Sequence, residues 1–390
     1  MTAPKSRPII AAFGVVVGVT AIAAVAFATG VFGKPEVQSS SFLRDGTAGF
    51  VVTHFRYALG KDSTVNGACP AGMSKNVLDI FAGSPGGARQ TGESDEAYAA
   101  RLEAGSKMYS ETPEGKSFCT NPELAQPDNH YRTVSASTWK EGIDIDGKRG
   151  VDNQFYRAVG CNKSFQSDGL SNVFQTEMYT GAWGILIELG DVDDLFNDSD
   201  VTVGIFANAD PMQLSPTRQA LPFATYAKSQ KDIHRAETSG RIKHGVLTSD
   251  PVDITLVNVV NGMHLKRVLR SARIAGTVSK DGVIKGVLAG YAPVTAQYDL
   301  QFGYRNGTDS KGQPANPKLR LGTAHGAAQV LGHTCQGAWQ ALHRLADGHR
   351  DPETGRFTSI STQYIFEATP AFIVDIDTSS ENKTGKANGK

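Results

Sequence analysis

The residues best suited to chemistry lie in a segment of alternating aspartates and glycines, GIDIDGKRGVDNQ, which contains Asp144, Asp146 and Asp152. Aspartates spaced in this way allow a loop to place several oxygens around a Ca²⁺ ion. The EF-hand pattern is only half met, since Arg149 stands where that loop needs glycine and Phe155 where it needs glutamate. We therefore expect either a calcium site on the three aspartates or a solvated turn that caps a helix beginning at Asp152.

A second acidic segment, GDVDDLFNDSD, carries five carboxylates within ten residues, among them Asp191, Asp193 and Asp198. Carboxylates this close repel one another unless water or a cation screens them. Calcium is favoured over zinc because the donors are hard oxygens. Glu188, at the end of the preceding apolar run, forms with Asp191 or Asp193 the candidate catalytic carboxylate pair of a hydrolase.

A third segment, LADGHRDPETG from Leu345 to Gly355, follows an amphipathic stretch, and a helix end plus a turn accounts for its composition. The sequence contains no GxSxG, HExxH or GxxxxGK[ST] motif. Its nine histidines are scattered without the spacing of metal ligands. These features favour a binding protein, with a hydrolase that uses paired carboxylates as the alternative.

The four cysteines are Cys69, Cys119, Cys161 and Cys335, and none stands in a CxxC motif. An even number of cysteines in an exported protein indicates disulfides, and four allow three pairings. Cys69 and Cys119 share the loop-rich N-terminal part, whereas Cys161 and Cys335 both follow or occupy apolar helical segments. We therefore predict the pairs Cys69–Cys119 and Cys161–Cys335.

The N-terminal part of the chain contains a stretch of 24 uncharged residues, 9–32, preceded by Lys5 and Arg7. A helix of this length can cross a hydrocarbon core of about 30 Å. The preceding positive charges predict a cytoplasmic N-terminus and an exported remainder. The stretch is either an anchor in the inner membrane or a signal peptide cleaved after Ala28, which would leave a soluble protein. Both alternatives predict a periplasmic or extracellular body.

The elements that must position these segments are mostly strands. β-Branched apolar runs recur from about residue 182, and the Asp281-Gly282 turn predicts a hairpin. The fold class predicted is mainly β: an antiparallel β-sandwich or jelly-roll-like body with a few packed helices, after one N-terminal transmembrane or signal helix. The predicted organisation is a signal anchor or signal peptide at 1–33, a linker at 34–47, a loop-rich α+β region at 48–180, a β-sandwich at 181–378 with a helix at 325–346, and a disordered tail at 379–390.

The charge balance bears on the choice of partner. The chain of 390 residues has 39 Lys and Arg against 39 Asp and Glu, so its formal net charge is zero. Such a chain has no long-range field that attracts a polyanion, which argues against nucleic-acid binding.

Four segments together resemble a set of uncharacterised exported bacterial proteins: GVDNQFYRAVGC ending at Cys161, the acidic segment Asp191–Val201, VLAGY ending at Tyr291, and ALHRLADG ending at Gly348 and running on to the DPETG that ends at Gly355. The resemblance implies one long extracytoplasmic unit and brings no catalytic residue with it. We expect a membrane-anchored or secreted β-sandwich module that binds a glycan, a lipid or a protein at the cell envelope, with calcium as a candidate ligand.

Overall fold

The computed structural model describes residues 42–58, 91–100, 114–124, 143–145, 147, 152–160, 170–208, 210–260, 262–303, 305–320 and 335–376. Over these residues the protein is mainly β, with an antiparallel sheet and few helices, which confirms this part of the predicted fold class. The predicted membrane or signal segment and the predicted C-terminal tail lie outside the described residues. Among the helices that are described, none has the length and apolar character needed to span a bilayer.

The strands are β1 (Ala48–Tyr57), β2 (Ile185–Gly190), β3 (Asn197–Ala207), β4 (Ala224–Ala227), β5 (Arg235–Lys243), β6 (Val246–Ser249), β7 (Val252–Val260), β8 (Met263–Val278), β9 (Ile284–Pro293), β10 (Gly348–Arg350) and β11 (Phe357–Val374). The α-helices with described bounds are α1 (Leu170–Tyr179), α2 (Val294–Tyr298) and α3 (Cys335–Arg344). Short 3-10 turns occupy Pro122–Leu124 and Asp232–His234, and π-helical turns occupy Tyr156–Gly160 and Asp299–Gly303.

The main sheet closes on itself. Its strands follow the order β1-β2-β3-β5-β6-β8-β9-β11, and β11 then pairs with β1 in antiparallel register, with Phe55 opposite Phe366. Two further strands extend from β11, β10 in antiparallel and β4 in parallel orientation. β7 pairs with the first half of β8. The ring therefore leaves no free strand edge between β1 and β11.

Apolar side chains fill the interior of this ring. A small internal gap is lined entirely by them, from Val52 and Phe55 of β1 to Ile205 of β3, Leu288 of β9 and Phe366 of β11. Alternate residues of a strand point to the same face, which is why β-branched and aromatic residues recur at every second position. Each such side chain contributes about 1.5–3 kcal/mol when fully buried.

The predicted hairpin around Asp281-Gly282 is confirmed. β8 and β9 pair in antiparallel register up to Val278 opposite Ile284, and Ser279 bonds Val283 across the turn. Gly282 has φ 79°, a left-handed conformation that glycine adopts without strain.

The predicted disulfide pairing is wrong, because Cys119 bonds to Cys335 across a sequence separation of 216 residues, with a Cα–Cα distance of 4.9 Å. Cys69 and Cys161 lie outside the described residues. Cys335 lies on the apolar stripe of α3, as expected, and Cys119 is buried where the Pro122–Leu124 turn packs on that helix. The prediction joined cysteines by nearness in sequence, whereas a tertiary contact decides this pair.

Candidate functional site

A polar cluster lies at the surface where β8 changes its partners. The first half of β8 pairs with β7, and its second half pairs with β6 and β9. The register shifts between Arg270 and Arg273 on the β9 side, and between Val252 and Ile254 on the β7 side. Bulges of this kind redirect a side chain out of the ladder, and here the residue redirected is Ser271.

The backbone of Ser271 is strained and is held by a carboxylate. Ser271 has φ 49°, the left-handed region that non-glycine residues rarely adopt. The Oδ1 atom of Asp253 accepts the backbone N–H of Ser271 at 2.8 Å. Asp253 thus replaces the ladder bond that the bulge removes, and the serine hydroxyl turns towards β10.

His349 faces Ser271 from the short strand β10. It also has a left-handed backbone, with φ 46°, and its ring contacts the ring of Tyr291 edge to face with centroids 5.4 Å apart. A Cβ atom at Gly348 would collide with the Tyr291 ring, so glycine is required there. With its backbone and ring placed in this way, the His349 side chain lies close to Ser271, and the distance between Ser271 Oγ and His349 Nε2 is 3.4 Å.

The charges around His349 favour its neutral form. Partial burial lowers the pKa of His349, and the Arg270 guanidinium lowers it further, while the Asp253 carboxylate acts in the opposite direction. A neutral imidazole can accept a proton from a hydroxyl, which makes His349 a competent general base for Ser271. We call Asp253, Arg270, Ser271, Tyr291 and His349 the bulge site.

A layer of buried hydrogen bonds supports the bulge site from β11. Ser361 lies opposite Tyr291 in the β9–β11 ladder and donates both its backbone N–H and its hydroxyl to Asp347, each at 2.7 Å. The Ser361 Oγ atom accepts the backbone N–H of Gln154 at 2.9 Å. Asp347 precedes Gly348 and His349, so these bonds fix the start of β10. The segments around Asp152 and Asp347, singled out separately in the sequence, meet here.

Burial, with a smaller contribution from the Asp152 carboxylate, raises the pKa of Asp347 to about 6 against the opposing bonds from Ser361. Between about pH 4 and pH 6 the folded protein keeps a proton on Asp347 that the unfolded chain has released, which stabilises the fold. Above pH 6 this stabilisation is lost, because the charge must be buried. The wild type should therefore lose about 2 kcal/mol of unfolding free energy between pH 4.5 and 7 relative to Asp347→Asn.

Urea denaturation at the two pH values measures this difference. Asp351→Asn is the matched control, because bonds from Thr354 lower the pKa of Asp351 and leave it largely ionised at both values. Equal pH dependence in the wild type and Asp347→Asn would contradict the assignment.

The first predicted calcium segment is only partly described. Asp144 is exposed, and its Oδ1 accepts the backbone N–H of Gly147 at 2.6 Å. Asp152 Oδ2 accepts the backbone N–H of Ile145 at 3.1 Å. Asp146 lies outside the described residues. These two bonds are of the kind that a turn makes.

In the second acidic segment, Asp198 organises the loop. Burial opposes the ionisation of Asp198, but its carboxylate accepts the backbone N–H groups of Asp193, Asp194 and Asp200, and together these bonds lower its pKa. Asp191 accepts the hydroxyl of Thr202 at 2.8 Å. In the part of the chain that the structure describes, no group of three or more His, Cys, Asp or Glu side chains is arranged to hold a metal ion.

Glu188, proposed as a catalytic carboxylate, forms an ion pair with Lys228 at 2.7 Å. The Lys228 ammonium also lies 4.3 Å from the centroid of the Phe206 ring. These contacts give Glu188 a role in joining β2 to the chain that follows β4.

A buried arginine, Arg267, was not anticipated from the sequence. It is 2% exposed and donates to the Tyr364 hydroxyl and to Asn258 Oδ1, each at 2.7 Å. Its guanidinium lies 4.9 Å from the Tyr364 ring centroid and 5.7 Å from that of Tyr57. Its sequence neighbours in β8 include the basic residues Lys266 and Arg270, and no local pattern distinguishes the buried Arg267 from them.

No family model matches the chain, and neither a curated protein nor a solved structure matches it.

Proposed function

We propose that the protein is an extracytoplasmic binding module for an envelope glycan, and that the bulge site is its contact surface. The main support for this proposal is that two strained non-glycine residues, Ser271 and His349, face each other beside the ring of Tyr291. Strained backbone persists only where the surroundings hold it, and such residues cluster at ligand sites.

The chemistry of the bulge site favours a glycan over a lipid or a protein. Asp253 and His349 are exposed, and Arg270 and Ser271 are partly so. Together they offer an acceptor, donors and a cation beside one aromatic ring, a set that matches hydroxyl groups and the apolar face of a sugar. A lipid chain would require an apolar groove instead.

The location is part of the same proposal. A disulfide between Cys119 and Cys335 supports an oxidising compartment, either periplasmic or extracellular. The uncharged segment at 9–32 would anchor the protein in the inner membrane or be cleaved. We further propose that the closed sheet is flattened into two facing layers as a β-sandwich. Calcium binding at Asp144, Asp146 and Asp152, or at Asp191, Asp193 and Asp198, stays a prediction.

A hydrolase that uses paired carboxylates is the second candidate. The observation that favours it is the nearness of Asp152 and Asp347, since the charge of Asp152 contributes to the raised pKa of Asp347. A largely buried acid with a raised pKa next to a second carboxylate suits the acid and base roles of a hydrolase. This pair has better support than Glu188 with Asp191 or Asp193, because Glu188 is bound to Lys228.

A glycan array followed by calorimetric titration tests the proposed binding. We expect His349→Ala to weaken binding of the selected glycan at least about tenfold, because one polar contact in a binding site contributes about 1–3 kcal/mol. His244→Ala is the matched control, since His244 is also exposed, also has a left-handed backbone with φ 52°, and contacts Phe196 instead. Equal affinities of the two variants, or an array without a bound glycan, would contradict the proposal.

A further inference from the structure

We propose that Ser271 is a nucleophile and His349 its general base, and that the bulge site cleaves small O-acyl esters carried by the glycan it binds. The inference rests on the proposed function for its substrate class. Its chemistry rests on the geometry of the serine and the histidine alone.

The distance between the serine hydroxyl and the imidazole supports proton transfer between them. Ser271 Oγ lies 3.4 Å from His349 Nε2, although the two residues are 78 positions apart in sequence. Catalytic hydrogen bonds are often this long in the absence of substrate and shorten when it binds. A left-handed nucleophile on a sharp bend also presents its hydroxyl outward, as at the nucleophile elbow of other hydrolases.

Asp253 serves as a positioning residue. Its carboxylate accepts the Ser271 backbone N–H at 2.8 Å and so holds the strained conformation that aims the hydroxyl. Its negative charge also acts on His349 and would stabilise the imidazolium that forms when the histidine takes a proton. Asp253 therefore has two effects: it binds the backbone of Ser271 directly, and its negative charge acts on His349.

The reaction balances with water as the only co-reactant. Ser271 Oγ forms a bond to the ester carbonyl carbon as its proton passes to His349 Nε2. The carbon–oxygen bond to the sugar then breaks, and His349 returns the proton to the sugar oxygen, which leaves an acyl-serine. Water then attacks the acyl carbon as His349 takes one of its protons. The bond between the acyl carbon and Ser271 Oγ breaks, His349 returns the proton to Oγ, and a carboxylic acid leaves. The Arg270 guanidinium, whose charge acts on His349, would offset the negative charge that develops on the carbonyl oxygen.

The exposure of the bulge site determines the substrate class. His349 and Asp253 are exposed and Ser271 is partly exposed, so the site opens to solvent. An open site suits a short acyl group that projects from a large polymer, because the polymer remains outside and only the ester must approach. An acetyl ester on a glycan hydroxyl has this form.

A fluorophosphonate probe, which phosphonylates activated serines, tests the chemistry on the full chain, and peptide mass spectrometry locates the label. We expect the label on Ser271, none on Ser271→Ala, and a labelling rate at least about 100-fold lower for His349→Gln. Ser279→Ala, an exposed serine in the β8–β9 turn, should label like the wild type.

The pH dependence of labelling separates the role of Asp253 from a purely structural one. The charged groups that act on His349 are Arg270, which lowers its pKa, and Asp253, which raises it. Asp253→Asn should therefore shift the midpoint of the labelling profile to lower pH as well as slow labelling. A slower rate with an unchanged midpoint would overturn this role.

The outcomes distinguish this inference from the proposed function. Folded wild type that binds a glycan and leaves Ser271 unlabelled would overturn the nucleophile and leave the binding module standing. Labelling of Ser271 in a protein that binds no glycan on the array would confirm the nucleophile and overturn the substrate class. Circular dichroism of each variant shows that it is folded before labelling is compared.

Discussion

Replacement of Cys119 and Cys335 by serine is expected to lower the free energy of unfolding by about 5 kcal/mol. This disulfide closes a loop of 216 residues, and on the chain-entropy model the stabilisation grows with the logarithm of the loop length. The bond also joins the Pro122–Leu124 turn to α3, near Tyr298, whose hydroxyl donates to the Cys119 carbonyl at 3.0 Å. Denaturant titration of the double variant against the oxidised wild type measures the loss.

The control for this experiment lies on the same helix. Arg344→Ala changes an exposed side chain in the last turn of α3 and should alter stability by no more than about 0.5 kcal/mol. A loss below about 1 kcal/mol in the Cys119→Ser, Cys335→Ser variant would contradict the assigned role of the bond.

Arg267→Met should lower the free energy of unfolding by about 3 kcal/mol. Methionine keeps much of the side-chain length but leaves the Tyr364 hydroxyl and the Asn258 carbonyl without the donors they have in the wild type. A buried polar group that loses its partner costs about 1–3 kcal/mol, and two such groups lose theirs here. Thermal and urea denaturation of the purified variant measure the loss.

Lys266→Met is the matched control for the arginine. Lys266 is the preceding residue of β8 and is exposed, so the same substitution should change stability by no more than about 0.5 kcal/mol. If the two variants were equally stable, the network around Arg267 would have no net stabilising effect.

Local signals in the sequence predicted the elements well. Asp281-Gly282 marks a hairpin because few residues adopt the turn that it requires, and the apolar period of Cys335, Ala338 and Leu342 marks a buried helix face.

Long-range contacts were the part that the sequence could not supply. The pairing of β1 with β11, which closes the sheet, joins strands from opposite ends of the described chain, and nothing local encodes their register. The predicted cysteine pairing was wrong for the same reason, since the Cys119–Cys335 bond joins residues that are distant in sequence.

The bulge site was missed for a different reason. Ser271 stands in a strand-like run, and the side-chain type carries no sign of a left-handed backbone. His349 was noticed only as part of a turn-like segment. The one local signal for a bulge is the group of polar residues in the middle of the strand-like run that forms β8.

Hydrogen–deuterium exchange with and without the array-selected glycan tests the central claim most directly, because it locates the contact surface without a substitution. We expect slower exchange over residues 268–273 of β8 and 347–351 around β10, with 191–198 and 244–246 unchanged. Protection confined to the acidic 191–198 segment, or to any surface that excludes Ser271 and His349, would contradict it.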